Sequence, residues 1–353
     1  MHTIDRPTTG QFHDSLSLNL YIFGFTIGLI VISLCTSLWS ATLAQPQPFP
    51  QFAVTTVLQT LYLRPRPLSQ FTAHNASVLS VEFSPNGQQL VTSASDGSTK
   101  IWDRSGRVVA EINQPRQIIW SASFHPLGDR VVTASQDKVA RVWNLRGELL
   151  TELKGHRDWV NSAVFSPDGS IILTSSSDGS ARLWNLQGQL LWQTRGLHQP
   201  LWKAVFSPNG RFIATAGADG VVRLWDRQGN LVHQLRGHGG AVRDVVFSPD
   251  GKLLASGGED GIARVWRLNG TLVTELRGQN QVVRRLAFSP QGDVLGSTGQ
   301  DGMVRLWNLQ GQELAKLSQH RDWTIGLSFS PDGRLLATSS ADRQVHIWQI
   351  REQ

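Results

Sequence analysis

The stretch Lys154–Thr194, KGHRDWVNSAVFSPDGSIILTSSSDGSARLWNLQGQLLWQT, decides how the whole chain is read. Four short apolar or alternating runs stand between turn residues, which predicts four antiparallel strands. The first run ends at Phe165 and is followed by SPDG, in which Pro167 presets the turn's φ and Gly169 supplies a positive φ without steric cost. Ser177-Asp178-Gly179 joins the second run to the third as a tight hairpin. The third run then passes through Asn185-Leu186-Gln187-Gly188 into the fourth. A sheet this small cannot bury its faces alone, so it needs neighbours.

The chain supplies them. Trp184 is one of seven tryptophans at a constant step of 41 residues: Trp102, Trp143, Trp184, Trp225, Trp266, Trp307 and Trp348. Phe83 to Phe329, Pro85 to Pro331 and Asp96 to Asp342 keep the same step. Four strands per roughly forty residues, repeated in register, is the pattern of a propeller blade. Lys138 and Arg343 replace the hairpin glycine in two copies, so those turns should change type or bear strain.

The pattern GH…V…FSPDG…S/T…D…LWD/N, recurring seven times across residues 67–353, resembles the tryptophan–aspartate (WD) repeat family. That resemblance implies an all-β, seven-bladed β-propeller of four-stranded antiparallel blades, with strand a on the central channel and strand d outermost. It also implies a hydrogen-bond network inside each blade. The indoles of Trp102, Trp184, Trp266 and Trp348 would meet the hydroxyls of Thr92, Thr174, Ser256 and Thr338. Those hydroxyls would meet His74, His156, His238 and His320, which would in turn meet Asp96, Asp178, Asp260 and Asp342. A buried indole donor needs an acceptor and an ionised carboxylate can only accept, so such a relay satisfies itself in order. Pro115, Leu197 and Gln279 take the histidine place in the other three copies, whose loops should be looser. The seventh copy stops before a fourth strand, and Leu68–Phe71 align with the strand d column. The family closes its ring with such an N-terminal strand, which removes exposed sheet edges.

Ahead of the repeats, Ser15 to Leu63 contains no charged residue, and Leu20–Trp39 is almost wholly apolar. Its length suits a hydrocarbon core of about 30 Å. The expected organisation is a short tail at 1–17, a transmembrane anchor at 18–41, a proline-containing linker at 42–66 and the propeller at 67–353. A cleaved signal peptide ending near Ala44 is the alternative, but signal cores run only about 7–15 residues. Arg6 precedes the span and the next basic residue is Arg64, a slight bias toward a propeller outside the cytoplasm.

The net charge of +6 is spread along alternating acidic and basic residues, and no basic block marks a nucleic-acid partner. Cys35, in the leader, is the single cysteine, so no internal disulfide braces the repeats. Neither C-x-x-C nor H-E-x-x-H spacing occurs, so no metal and no cofactor are expected. The turn aspartates recur on separate blades rather than in pairs, which argues against an enzyme. His125, His233 and His346 have no partner visible in the sequence.

Binding information should therefore reside in the columns that vary. Around the start of strand a the copies read NASVL, RQIIW, RDWVN, HQPLW, GGAVR, NQVVR and RDWTI. Trp120, Trp159, Trp202 and Trp323 fall here, with Arg116, Arg157, Arg243, Arg284 and Arg321, and these types are enriched among binding hot spots. The plainer alternatives are indoles that cover a neighbouring blade and arginines paired with Asp158 or Asp322. The next column, Ser80, Ser121, Ser162, Lys203, Asp244, Arg285 and Gly326, predicts a structural ion-pair ladder in the channel, with a channel ligand as the sharper alternative. Glu259 is the one acid in its column. Together these features predict a membrane-tethered, non-catalytic scaffold that binds other proteins through the d–a loop face. An extracytoplasmic propeller that senses glycans or small ligands is the alternative.

Overall fold

A computed structural model describes residues 63–351 except 115, 195, 196 and 280. The expected tail, the anchor or signal segment at 18–41, nearly all of the linker and Pro115 lie outside the described residues. Among the described residues no helix is long and apolar enough to cross a membrane.

The strands form seven four-stranded antiparallel sheets. The quoted repeat supplies Val160–Phe165, Ile171–Ser176, Ala181–Asn185 and Leu190–Gln193 as one sheet in that order. One sheet departs from chain order. The first strand, β1 (Arg66–Thr72), pairs with Gln344–Gln349 and becomes the outer strand of the last blade. Pro67 sits beside a bulge on this outer strand, where a residue without an N–H costs the sheet little.

Seven apolar clusters hold the ring, one at each blade junction. Val132, Ala140 and Leu153 of the second blade, for example, pack with Val160, Ala163 and Trp184 of the third. Val78, Phe83 and Trp102 meet Ala337, Val345 and Ile347 across the closure. Each fully buried aliphatic or aromatic side chain contributes about 1.5–3 kcal/mol, so the junctions rather than the isolated sheets carry the stability. The outer strands expose apolar pairs at Val108-Val109, Leu149-Leu150, Leu190-Leu191, Leu231-Val232 and Leu272-Val273.

Within the blades, all seven column tryptophans donate to a threonine or serine hydroxyl at 2.8–3.1 Å. In the third blade Thr174 Oγ1 lies 2.7 Å from His156 Nε2, and His156 Nδ1 lies 2.8 Å from Asp178. The order that satisfies every group is indole to hydroxyl to imidazole to carboxylate. His238 and His320 repeat it with Ser256–Asp260 and Thr338–Asp342.

The first blade differs from expectation. His74 Nε2 meets Thr92 at 2.7 Å, but its Nδ1 meets Ser98 Oγ at 2.7 Å while Asp96 stands 3.6 Å away. Ser98 donates onward to Asp96 at 2.6 Å, so a serine is inserted into the relay. Two of the blades expected to be loose have substitutes. Ser297 donates to Gln279 Oε1 at 2.9 Å, and Gln114, beside Pro115, places its amide nitrogen 3.4 Å from Thr133. An arginine two residues before the tryptophan also grips the turn aspartate in five successive blades, from Arg141–Asp137 to Arg305–Asp301.

Lys138 and Arg343 keep the left-handed conformation of the glycines they replace, with φ of 72° and 71°. The turn type is thus conserved and the strain is borne, at about 1 kcal/mol each.

Candidate functional site

The geometry of the site begins with a defect in the ladder. In every blade the pairing of strand a with strand b slips by one residue near the start of strand a, between Val78 and Ser80 in the first blade and between Thr324 and Gly326 in the last. A β-bulge of this kind leaves one residue unpaired and re-aims its side chain. The skipped residues are Leu79, Trp120, Asn161, Trp202, Arg243, Arg284 and Ile325, and all seven line one basin of about 570 Å³. Ser77, Trp159 and Trp323, two residues upstream in their own copies, complete its rim with Asp322 and Ala341.

The four tryptophans at the start of strand a therefore converge. Trp120 and Trp159 stack with ring centroids 5.7 Å apart and planes at 28°. Arg243 lies over the ring of Trp202 at 4.2 Å and Arg284 over Trp323 at 5.1 Å, distances at which the ring quadrupole attracts a cation. Trp159 and Trp323 remain 39% and 44% exposed.

The predicted arginines separate into two groups. Arg243 and Arg284 line the basin, whereas Arg116, Arg157 and Arg321 are exposed and do not line it. Arg116 adopts a positive φ of 67°, while the backbone N–H groups of Arg157 and Arg321 donate to Asp178 and Asp342 at 3.0 Å. Asp158 and Asp322 bind the backbone N–H groups of Trp159 and Trp323, at 2.8 and 2.7 Å, rather than arginine side chains. These bonds fix the peptide immediately before each exposed indole. Glu259 is the partner of Arg243, whose Nε donates to it at 3.0 Å.

The arginine electrostatics are uneven. Arg285, which lines both the basin and the channel beneath it, stands 3.6 Å from Asp244. Asp244 accepts the Leu286 N–H at 2.7 Å. Arg284 has no carboxylate within ion-pair distance among the described residues. Burial lowers its pKa, and the neighbouring Arg243 and Arg285 lower it further against a partial offset from Glu259. Its Nε and the indole N–H groups of Trp120 and Trp202 are buried without an acceptor.

Of the ion-pair ladder expected in the channel, Arg285–Asp244 forms, whereas Lys203 has no carboxylate within ion-pair distance among the described residues. Ser80 and Ser121 accept the Ala122 and Ala163 N–H groups of the next blade. Glu82, which the sequence reading did not single out, accepts the Phe124 N–H at 2.9 Å, and burial raises its pKa. Burial likewise lowers Lys203 to about 8. Ser80, Ser121, Glu82 and Asp244 thus stitch neighbouring blades together. Of the unassigned histidines, His346 lies 4.2 Å from the ring of His320, and His125 lies 2.8 Å from Asp129. Among the described residues no group of three or more metal-ligating side chains forms.

The model of the family described as WD domain, G-beta repeat matches the chain at 65–103, 106–144, 147–185, 191–226, 229–267, 270–308 and 311–349. The chain belongs to this WD-repeat family. Each matched copy begins near strand d of one blade and ends with strand c of the next, so every WD repeat straddles a blade junction. The first match includes β1, the strand that closes the ring. No match to a curated protein accompanies that family. WD-repeat propellers are generally non-catalytic scaffolds that bind other proteins.

Proposed function

We propose that this WD-repeat protein is a non-catalytic scaffold, held at a membrane by residues 18–41, that binds other proteins at the basin on its d–a loop face. The observation that carries this reading is the ring of seven bulged residues, one from each blade, which together with Trp159, Trp323 and Arg285 gathers four tryptophans and three arginines in one open concavity. An aromatic and arginine cluster with partly exposed indoles is the composition of a binding hot spot. The apolar run Leu20–Trp39 supports the tether, and Arg6 before it favours a propeller outside the cytoplasm.

A glycan-sensing propeller would use the same basin, since sugar rings stack on indoles. Here the ring of Trp120 meets Trp159, and arginines lie over Trp202 and Trp323. The basin also carries three arginines, one of them with a buried Nε that has no acceptor, and a charged peptide suits these better than a neutral sugar. Crosslinking in intact membranes, wild type against Trp159→Ala/Trp323→Ala, tests the reading. Loss of the crosslinked partners in the variant is expected, and their undiminished recovery would overturn it. Mass spectrometry of the mature N-terminus tests the tether, and a start near Gln45 would contradict it.

A further inference from the structure

The buried groups of the basin that lack a partner are all donors. Trp120 Nε1, Trp202 Nε1 and Arg284 Nε are all buried without a partner. Among the lining carboxylates and amides, Asp322 already accepts the Trp323 N–H, and the Asn161 amide donates to Ser177 and to the Leu201 carbonyl. An unmade hydrogen bond at a buried donor costs about 1–3 kcal/mol, more when the group is charged. Of three adjacent arginines, Arg243 has Glu259 and Arg285 has Asp244, while Arg284 has none among the described residues. Arg284 is half-buried between two other arginines, and the nearby Glu259 is already bound by Arg243, so an added anion would stabilise it.

We propose that the occupant of the basin is an acidic segment of a partner protein, with a carboxylate beside a flat side chain such as proline or an aromatic ring. This rests on the scaffold function above and deepens it. The carboxylate meets the unpaired guanidinium of Arg284, whose planar fork suits bidentate pairing. The flat neighbour lies against the exposed parts of Trp159 and Trp323. A basin of about 570 Å³ holds a few side chains, not a folded domain. Two of the three arginines are already paired within the propeller, so the site lacks the run of open cations that a polyanion such as nucleic acid requires.

Selection from a randomised peptide library displayed on phage, against the detergent-solubilised full chain, tests the proposal. Wild type should enrich peptides with Asp or Glu next to Pro, Phe, Tyr or Trp. Exchanging the acid for its amide in a selected peptide should weaken binding roughly tenfold or more. Arg284→Met should erase that acid preference, Arg284→Lys should retain part of it, and unfolding midpoints near wild type should show that both variants fold. Enrichment of neutral or basic peptides, or an acid preference that survives Arg284→Met, overturns the proposal. If such peptides still lose binding in Trp159→Ala/Trp323→Ala, the loop-face scaffold stands and only the acidic occupant falls. If selected peptides ignore the tryptophan pair, both fall.

Discussion

Two sets of tryptophans occupy this propeller, and they differ in what the indole finds. The seven that keep the 41-residue step are 1–8% exposed, and each donates to a hydroxyl of its own blade. Of the five described tryptophans that break the step, Trp192 lies on an outer strand against Trp225, and four gather at the channel mouth. Two of these, Trp159 and Trp323, are 39% and 44% exposed, and the other two, Trp120 and Trp202, have N–H groups without a partner. Repetition therefore marks the residues whose bonding capacity is used up inside the blade. At the start of strand a, departure from repetition marks those that still have capacity for something outside.

The comparison can be broken most forcefully from the blade side. Trp184→Ala should cost about 3–5 kcal/mol in urea unfolding, because a large side chain leaves a junction that cannot collapse. A cost near zero would put the column tryptophans outside the core.

Acid should attack the same network. Burial lowers His74 from 6.5 to about 4 and His346 likewise, so both are neutral in the folded protein at pH 7. Unfolding lets them take up protons between pH 6.5 and 4, so stability is complete above about pH 6.5 and falls as the pH drops through that window. His74 alone withdraws up to roughly 3 kcal/mol. Unfolding midpoints measured from pH 7 to pH 4 should show the decline, and His346→Gln should make it shallower.

A smaller effect sharpens the contrast between blades. Thr174→Val orphans both Trp184 and His156 and should cost about 1–3 kcal/mol. Thr215→Val should cost less, because Leu197 stands in the histidine place and Trp225 is the hydroxyl's one hydrogen-bonded side chain among the described residues. Equal losses would mean that the imidazole adds nothing.

The blade network was legible in the sequence because every member carries a chemical type that recurs. A hydroxyl, a carboxylate and an indole at constant spacing identify one another, and Leu68–Phe71 betrayed the closing strand by matching a column. Variation in the relay was less legible. Gln279 and Gln114 bond the hydroxyl where no histidine stands, because reach rather than residue type decides who can donate or accept.

The basin was only half legible. Trp and Arg at the start of strand a marked the region, but Leu79, Asn161 and Ile325 share no chemistry with them. What unites the column is a register slip, and nothing in side-chain type announces it. For the same reason Arg116, Arg157 and Arg321, in the same short segments, point to no shared site.

The tryptophans at the start of strand a serve binding, and those that keep the step serve folding. The most direct test of this division measures urea unfolding and partner recovery together for Trp159→Ala/Trp323→Ala and for Trp184→Ala. The account predicts that the double variant loses its partners with a stability change below about 1 kcal/mol, as for exposed positions, while Trp184→Ala loses several kcal/mol. A double variant that unfolds as readily as Trp184→Ala, or that keeps its partners, would contradict it.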